Sequence, residues 1–272
     1  MTEDKDFLES AIEDPRIISV TGFLEMLWFG GFKMHERSKT GILFIHGILG
    51  TPEHFRLFLP LVPKGYSVRN LLLKGHGGSV RDLSRASMSE WKHQVSEALD
   101  ELSESCDSII IVAHSMGTLF AIQEAIQRPI AELFLINVPL KLHITFRLLR
   151  TIQKVYTGRI KPEDEWYLAA QKACSIRIEK NVFKYLTWIP RYLELFSEIR
   201  KTRKILGSLS TKTHIYLSAY DEMVSAKCGK LFENNPQVSV KMLNSSGHFY
   251  YSPEDQYIMT EDFSRMICNK DN

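Results

Sequence analysis

Ala113-His114-Ser115-Met116-Gly117, directly behind the run Ser108-Ile109-Ile110-Ile111-Val112, constrains this chain more than any other feature. A β-branched run that meets a small-x-Ser-x-Gly turn and continues as a helix, here from Thr118 to Gln127, describes a nucleophile elbow. Strand and helix crowd together at such a turn. Only small residues therefore fit two positions before and two positions after the serine. Ala113 and Gly117 occupy those positions, with alanine where glycine is commoner. The turn holds one hydroxyl proud at a strand end. Beside it lies a helix N-terminus whose N–H groups can receive a developing oxyanion.

The order of elements around this turn implies a layered α/β architecture. Gly41-Ile42-Leu43-Phe44-Ile45 is a continuous apolar run, as expected of a strand covered on both faces. His46-Gly47-Ile48-Leu49-Gly50-Thr51-Pro52 ends it, and an amphipathic segment from Glu53 to Val62 stops at Pro63. Tyr66 to Leu73 reads as a second strand, ending in Lys74-Gly75-His76-Gly77-Gly78. Ser87-Met88-Ser89-Glu90 has the form of a capping box and opens a helix through about Ser103. After the elbow come strands Leu133 to Asn137, His214 to Ala219 and Val238 to Leu243. A helix is expected near Ala226 to Phe232 and another from about Pro253. Strands alternating with helices predict a mainly parallel sheet flanked by helices. Sites in such sheets lie at the carboxyl ends of the strands, where Gly47, Gly75, Ser115, Asp221 and His248 all fall.

Between two of these strands the composition changes. Residues 141–210 carry 15 Lys and Arg against 6 Asp and Glu, a net of +9, while the remainder of the chain carries a net of −7. The chain therefore reads as a core of residues 1–139 and 210–272 with an inserted helical lid at 140–209. Gly158, Pro162 and Pro190 break the insertion into several short helices. Its basic surface suits transient contact with an anionic membrane surface, although packing alone also accounts for its aromatics. The apolar stretch from Arg16 to Phe32 is too short to span a bilayer and reads as a packing segment, with docking on a membrane surface as the alternative. The acidic N-terminus lacks the form of a secretory signal, and the four cysteines show no metal-ligand spacing. Those features predict a cytoplasmic protein with no metal and no cofactor. No nucleic-acid-binding motif is present.

A serine hydroxyl needs a general base, and the base needs a partner that fixes its tautomer. His248, in Asn244-Ser245-Ser246-Gly247-His248, follows the last strand; Asp221, in Tyr220-Asp221-Glu222-Met223-Val224, follows the one before. Glu222 competes for the acid role, and His46, His76 and His114 compete for the base. His114 lies inside the elbow, so its ring should point away from Ser115. Two backbone N–H groups are needed for an oxyanion. Met116 follows the nucleophile and Ile48 lies in the turn after the first core strand, so these are the candidates.

Taken together, these motifs resemble the α/β-hydrolases of the monoacylglycerol lipase and small bacterial carboxylesterase group. The resemblance rests on His46-Gly47-x-x-Gly50-Thr51-Pro52, Lys74-Gly75-His76-Gly77, Trp91, His114-Ser115-Met116-Gly117, Tyr220-Asp221-Glu222-Met223-Val224 and Ser246-Gly247-His248. It runs from about Gly41 to the C-terminus. It implies an α/β-hydrolase fold, Ser115 as nucleophile, Asp221 and His248 as its relay, and Ile48 and Met116 as oxyanion donors. The implied activity is hydrolysis of a small acyl ester, of short to medium chain or a monoacylglycerol. An acyltransferase on the same residues and a non-catalytic ligand-binding homologue are the alternatives.

Overall fold

The computed structural model of the chain describes residues 38–268, so the expectation for Arg16 to Phe32 lies outside the described residues. Six strands form one sheet: β1 (Ser38–Ile45), β2 (Ser67–Asn70), β3 (Cys106–His114), β4 (Glu132–Ile136), β5 (Lys212–Ser218) and β6 (Val238–Leu243). Their order is β2-β1-β3-β4-β5-β6, and every pairing among the described residues is parallel. The chain runs outward from β1 to β2 and then crosses back to β3 on the other side. That reversal opens a crevice beyond the ends of β1 and β3, where open α/β sheets bind ligands. The register pairs Ile45 with Ala113, so the turn beginning at His46 and the turn at Ser115 leave the sheet side by side.

The helices are α1 (Val80–Arg85), α2 (Met88–Ser105), α3 (Met116–Gln127), α4 (Phe146–Thr157), α5 (Glu165–Ala173), α6 (Ile189–Ile205) and α7 (Pro253–Cys268). Strand side chains alternate between two apolar layers, which explains the unbroken apolar runs. Leu43, Ile45, Ile111, Ala113, Leu133 and Leu135 face a layer containing Trp91 and Val95 of α2, Leu119 of α3 and Leu195 of α6. Ile42, Phe44, Ile110, Val112 and Phe134 face Met259 and Phe263 of α7 and Phe55 and Phe58. Each fully buried Val, Leu, Ile, Phe or Met side chain among them contributes roughly 1.5–3 kcal/mol of transfer free energy, so the sheet is a rigid platform for its edge loops.

Local signals explain most element boundaries. Ser87 caps α2 by accepting the Glu90 N–H at 3.2 Å. Gly158, at φ 65°, ends α4 in a left-handed turn. Pro190, read as a helix break, stands where the 3-10 turn Val182–Trp188 gives way to α6, in the first turn of that 17-residue helix, where proline needs no N–H partner. The amphipathic stretch from Glu53 to Val62 forms two short 3-10 turns, Pro52–Phe55 and Leu59–Leu61, with Pro60 unable to donate to a longer helix. Residues Ala226–Phe232 are likewise 3-10 rather than α. The second strand is shorter than read. The Leu71 N–H still reaches Phe44 O, but the Leu73 N–H is taken by the His46 ring.

The segment between β4 and β5 reaches several loops at the carboxyl edge. The Ser175 N–H donates to Leu49 O at 2.7 Å and the Arg177 N–H to Gly78 O at 3.0 Å. α6 is tied to the helices below it through buried Glu198, which accepts from Gln123 of α3 at 3.1 Å and from Lys92 of α2 at 3.4 Å. α4 is different. It leaves Phe146, Leu149 and Ile152 on its exposed face, Phe146 at 80% exposure.

Candidate active site

Ser115 sits between β3 and α3 with φ 51° and ψ −123°. Backbone of that kind costs of order 1–3 kcal/mol for a residue with a side chain, so the surroundings must impose it. They do so from both sides. The Ser115 N–H continues the sheet ladder to Ile136 O at 2.9 Å, and Ser115 O receives the Thr118 N–H and hydroxyl of the first helical turn. Gly117 lets α3 leave at this angle, since a Cβ there would lie 2.3 Å from Ile45 O. Ala113 is fully buried within the apolar layer, so its methyl group is accommodated.

Two other strand-end loops meet this hydroxyl. The Ser115 Oγ–H donates to His248 Nε2 at 3.0 Å, and His248 Nδ1–H donates to Asp221 Oδ2 at 2.7 Å. The other Asp221 oxygen accepts the Met223 and Val224 N–H groups at 2.8 and 2.7 Å. A carboxylate so occupied presents one oxygen to the ring. It holds the proton on Nδ1 and leaves Nε2 as an acceptor. Glu222 takes a different place, accepting the backbone N–H of His248 through Oε2 at 2.9 Å. All four residues are buried, Ser115 most accessible at 8%.

The other candidate histidines, His46, His76 and His114, hydrogen-bond to loop backbone. His46 donates from Nδ1 to Gly47 O and accepts the Leu73 N–H at Nε2. His76 donates from Nδ1 to Leu73 O and accepts the Leu49 N–H at Nε2, fixing the turn that contains Ile48. Burial pushes His46 down to about 3, helped by the neighbouring His76, and burial pushes His76 down to about 4. Both roles require the neutral ring, because each Nε2 serves as an acceptor. His114 donates from Nε2 to His248 O at 3.1 Å. Burial holds it well below the ordinary histidine value, as do the nearby His54 and His248. The N–H groups of Ile48 and Met116 have no hydrogen-bond partner among the described residues.

Three supporting residues escaped the sequence reading. Asn137, at φ 54° after β4, accepts the Ser218 N–H at Oδ1 and approaches Gly247 O and His248 O at 3.3 and 3.5 Å. Tyr251 donates to His248 O at 3.3 Å. His54 stacks on His114 with centroids 3.8 Å apart. An asparagine at a strand's carboxyl edge, where a left-handed residue is tolerated, was the one available signal.

Comparison with known proteins agrees with this architecture. The model of the alpha/beta hydrolase family matches residues 42–258. A thermostable monoacylglycerol lipase of Bacillus sp. (strain H-257) is 33% identical over 95 residues, a stretch covering 35% of this chain and 38% of that relative. A structure from work on two metagenome-derived lipolytic enzymes superposes with a TM-score of 0.64 at 20% identity, covering 84% of this chain and 94% of the other. The monoacylglycerol lipase of Paleococcus ferrophilus superposes with a TM-score of 0.62 at 15% identity, covering 85% and 94%. Fold, edge position and family match agree: the chain belongs to the alpha/beta hydrolase family.

Proposed function

We propose that this chain is a serine hydrolase of carboxylic esters. The observation that carries the reading is the hydrogen-bonded line from Asp221 through His248 to a serine held in strained backbone. Ser115 Oγ attacks the ester carbonyl while its proton passes to His248 Nε2. The carbonyl oxygen becomes an oxyanion facing the Ile48 and Met116 N–H groups. Collapse breaks the bond to the alcohol, which leaves with the proton from His248, and the acyl group stays on Ser115. Water then gives its proton to His248 and attacks the acyl carbonyl. Release of the acid returns the proton to Ser115. The resemblance to monoacylglycerol lipases supports a short- to medium-chain acyl group or a monoacylglycerol as substrate. In this reading residues 140–209 form a cap over the site.

Treatment with a fluorophosphonate, followed by peptide mapping and turnover of p-nitrophenyl esters of increasing chain length, tests the reading. The expected result is one adduct on Ser115 together with turnover. In Ser115→Ala both should vanish, with kcat lower by about 10⁶-fold and the melting temperature kept. Retained turnover in that variant overturns the assignment. Transfer of the acyl group to added alcohols in preference to water would make the protein an acyltransferase.

The cap also supports a peripheral contact with anionic lipid. Ile144, Phe146 and Phe183 are 79%, 80% and 74% exposed within the segment of net charge +9. Exposed apolar side chains among basic ones suit the boundary between headgroups and acyl chains. Vesicles of anionic lipid should sediment the protein, and Phe146→Ser with Phe183→Ser should release it. Equal sedimentation of the double variant removes this contact.

A further inference from the structure

Four side chains from four separate parts of the chain form a continuous stack between the loops that carry Asp221 and His248. The Arg147 guanidinium of α4 lies 4.5 Å from the Trp166 ring of α5 and 5.8 Å from the Tyr220 ring. Trp166 in turn stacks on Tyr250 with centroids 4.7 Å apart and planes 27° apart. The order is therefore Tyr220, Arg147, Trp166, Tyr250. The two inner groups belong to the inserted segment. The two outer ones flank the candidate relay, since Tyr220 immediately precedes Asp221 and Tyr250 lies in the loop of His248.

Neighbouring contacts point the same way. Gly247, next to His248, is pressed against Trp166, where a Cβ would lie 2.1 Å from the indole ring. Glu165 Oε2 accepts the Tyr250 hydroxyl at 3.1 Å. The strand-like approach to α4 grips the acid loop, with His143 Nε2–H donating to Asp221 O at 2.8 Å and the Thr145 hydroxyl to Glu222 O at 3.2 Å. Core burial does not explain the column, because Tyr220 is 56% exposed and Arg147 is exposed as well. Planar groups that stack at a partly open surface gain mainly orientation.

We propose that Trp166 and Arg147 are positioning residues, and that seating of the inserted segment through this column sets the alignment of Asp221 with His248. The proposal rests on the hydrolase reading for its consequence in catalysis. Its structural content is independent of turnover: the column keeps the loops of Asp221 and His248 at the separation at which Nδ1–H meets Oδ2. Loss of the column lets the His248 loop drift, and the ring loses its fixed orientation toward Ser115.

The test follows two readouts in the full chain, the rate of Ser115 phosphonylation by a fluorophosphonate and the low-field proton resonance of His248 Nδ1–H. Trp166→Ala is expected to slow labelling by about ten- to hundred-fold, the range in which a misplacement of about 1 Å falls. The resonance should weaken and move upfield in the same variant, and Trp166→Phe should restore both. Arg147→Ala, which removes an exposed side chain and is the fallback where Trp166→Ala fails to fold, should slow labelling about three-fold, the equivalent of one exposed cation–π contact. Wild-type labelling and an unchanged resonance in either folded alanine variant overturn the proposal, as does a loss that Trp166→Phe leaves unrestored. A wild-type protein that never labels sinks the hydrolase reading instead, and the resonance then decides the column by itself.

Discussion

The turn that carries Ser115 and the loop that carries His248 are held by opposite means. Ser115 is fixed by its own chain neighbours. β3 pairs on both sides, the Ser115 N–H extends the ladder to β4, and Gly117 brings α3 against the backbone after β1. His248 is fixed by side chains from distant elements, Glu222 on its N–H and His114 and Asn137 at its carbonyl, with Tyr251 of its own loop also on that carbonyl. The difference teaches where the site can be tuned. The elbow is part of the sheet and fails only with the fold, whereas the histidine loop depends on separate contacts that can be weakened one at a time.

After the loss of Ser115 itself, the largest expected effect breaks the loop side without touching the elbow. Asp221→Asn keeps two acceptor sites for the Met223 and Val224 N–H groups but favours the wrong histidine tautomer, and should lower kcat by about 10⁴-fold. Ester kinetics with a matched thermal melt would read this; an unchanged rate would transfer the acid role to Glu222. Next in size is an attack on the elbow itself. Gly117→Ala puts a Cβ against Ile45 O and should cost about 3 kcal/mol, seen as a fall in Tm of about 10 °C. Activity lost at full stability would contradict the view that the elbow fails only with the fold.

The last effect, graded over several pH units, concerns acid. His46 and His76 are held at about 3 and about 4 in the folded chain, below the ordinary value near 6.5. The unfolded chain therefore binds more protons than the folded one between those limits. Stability is complete above about pH 6.5 and falls as pH drops toward 4, by up to about 1.4 kcal/mol per histidine per pH unit. Thermal melts from pH 7 to pH 4 should show the decline, and it should shrink when His76 is replaced by Gln. A flat profile would mean that these rings are not held as neutral acceptors.

Much of this molecule was legible along the chain because its signals are short-range. All six strands were legible in the sequence, and β6 was delimited to the residue. The elbow was readable because sterics allow few sequences at such a turn. Other features were not legible. The stretch from Glu53 to Val62 has helical periodicity, yet Pro60 and the burial of Phe55 and Phe58 against α7 settle it as 3-10 turns. Pro190 marks a helix boundary, but sequence does not reveal that the long helix lies on its C-terminal side. Asn137, Tyr251 and His54 carry no motif, and their contribution exists only where β4, the histidine loop and the turn after β1 converge.

Asp221 and Glu222 show where the line falls. By itself the sequence determined the parallel sheet, the serine turn and the pair of adjacent carboxylates after β5, because periodicity, turn sterics and strand-end position are properties of neighbouring residues. Which carboxylate meets the imidazole was implied by the family resemblance but left open by spacing, and the fold decided it. Both belong to one tight turn, but the Met223 and Val224 N–H groups hold Asp221 toward the His248 ring, while Glu222 reaches the backbone N–H behind it. A few ångströms of loop placement, set by contacts between segments far apart in the chain, make that choice.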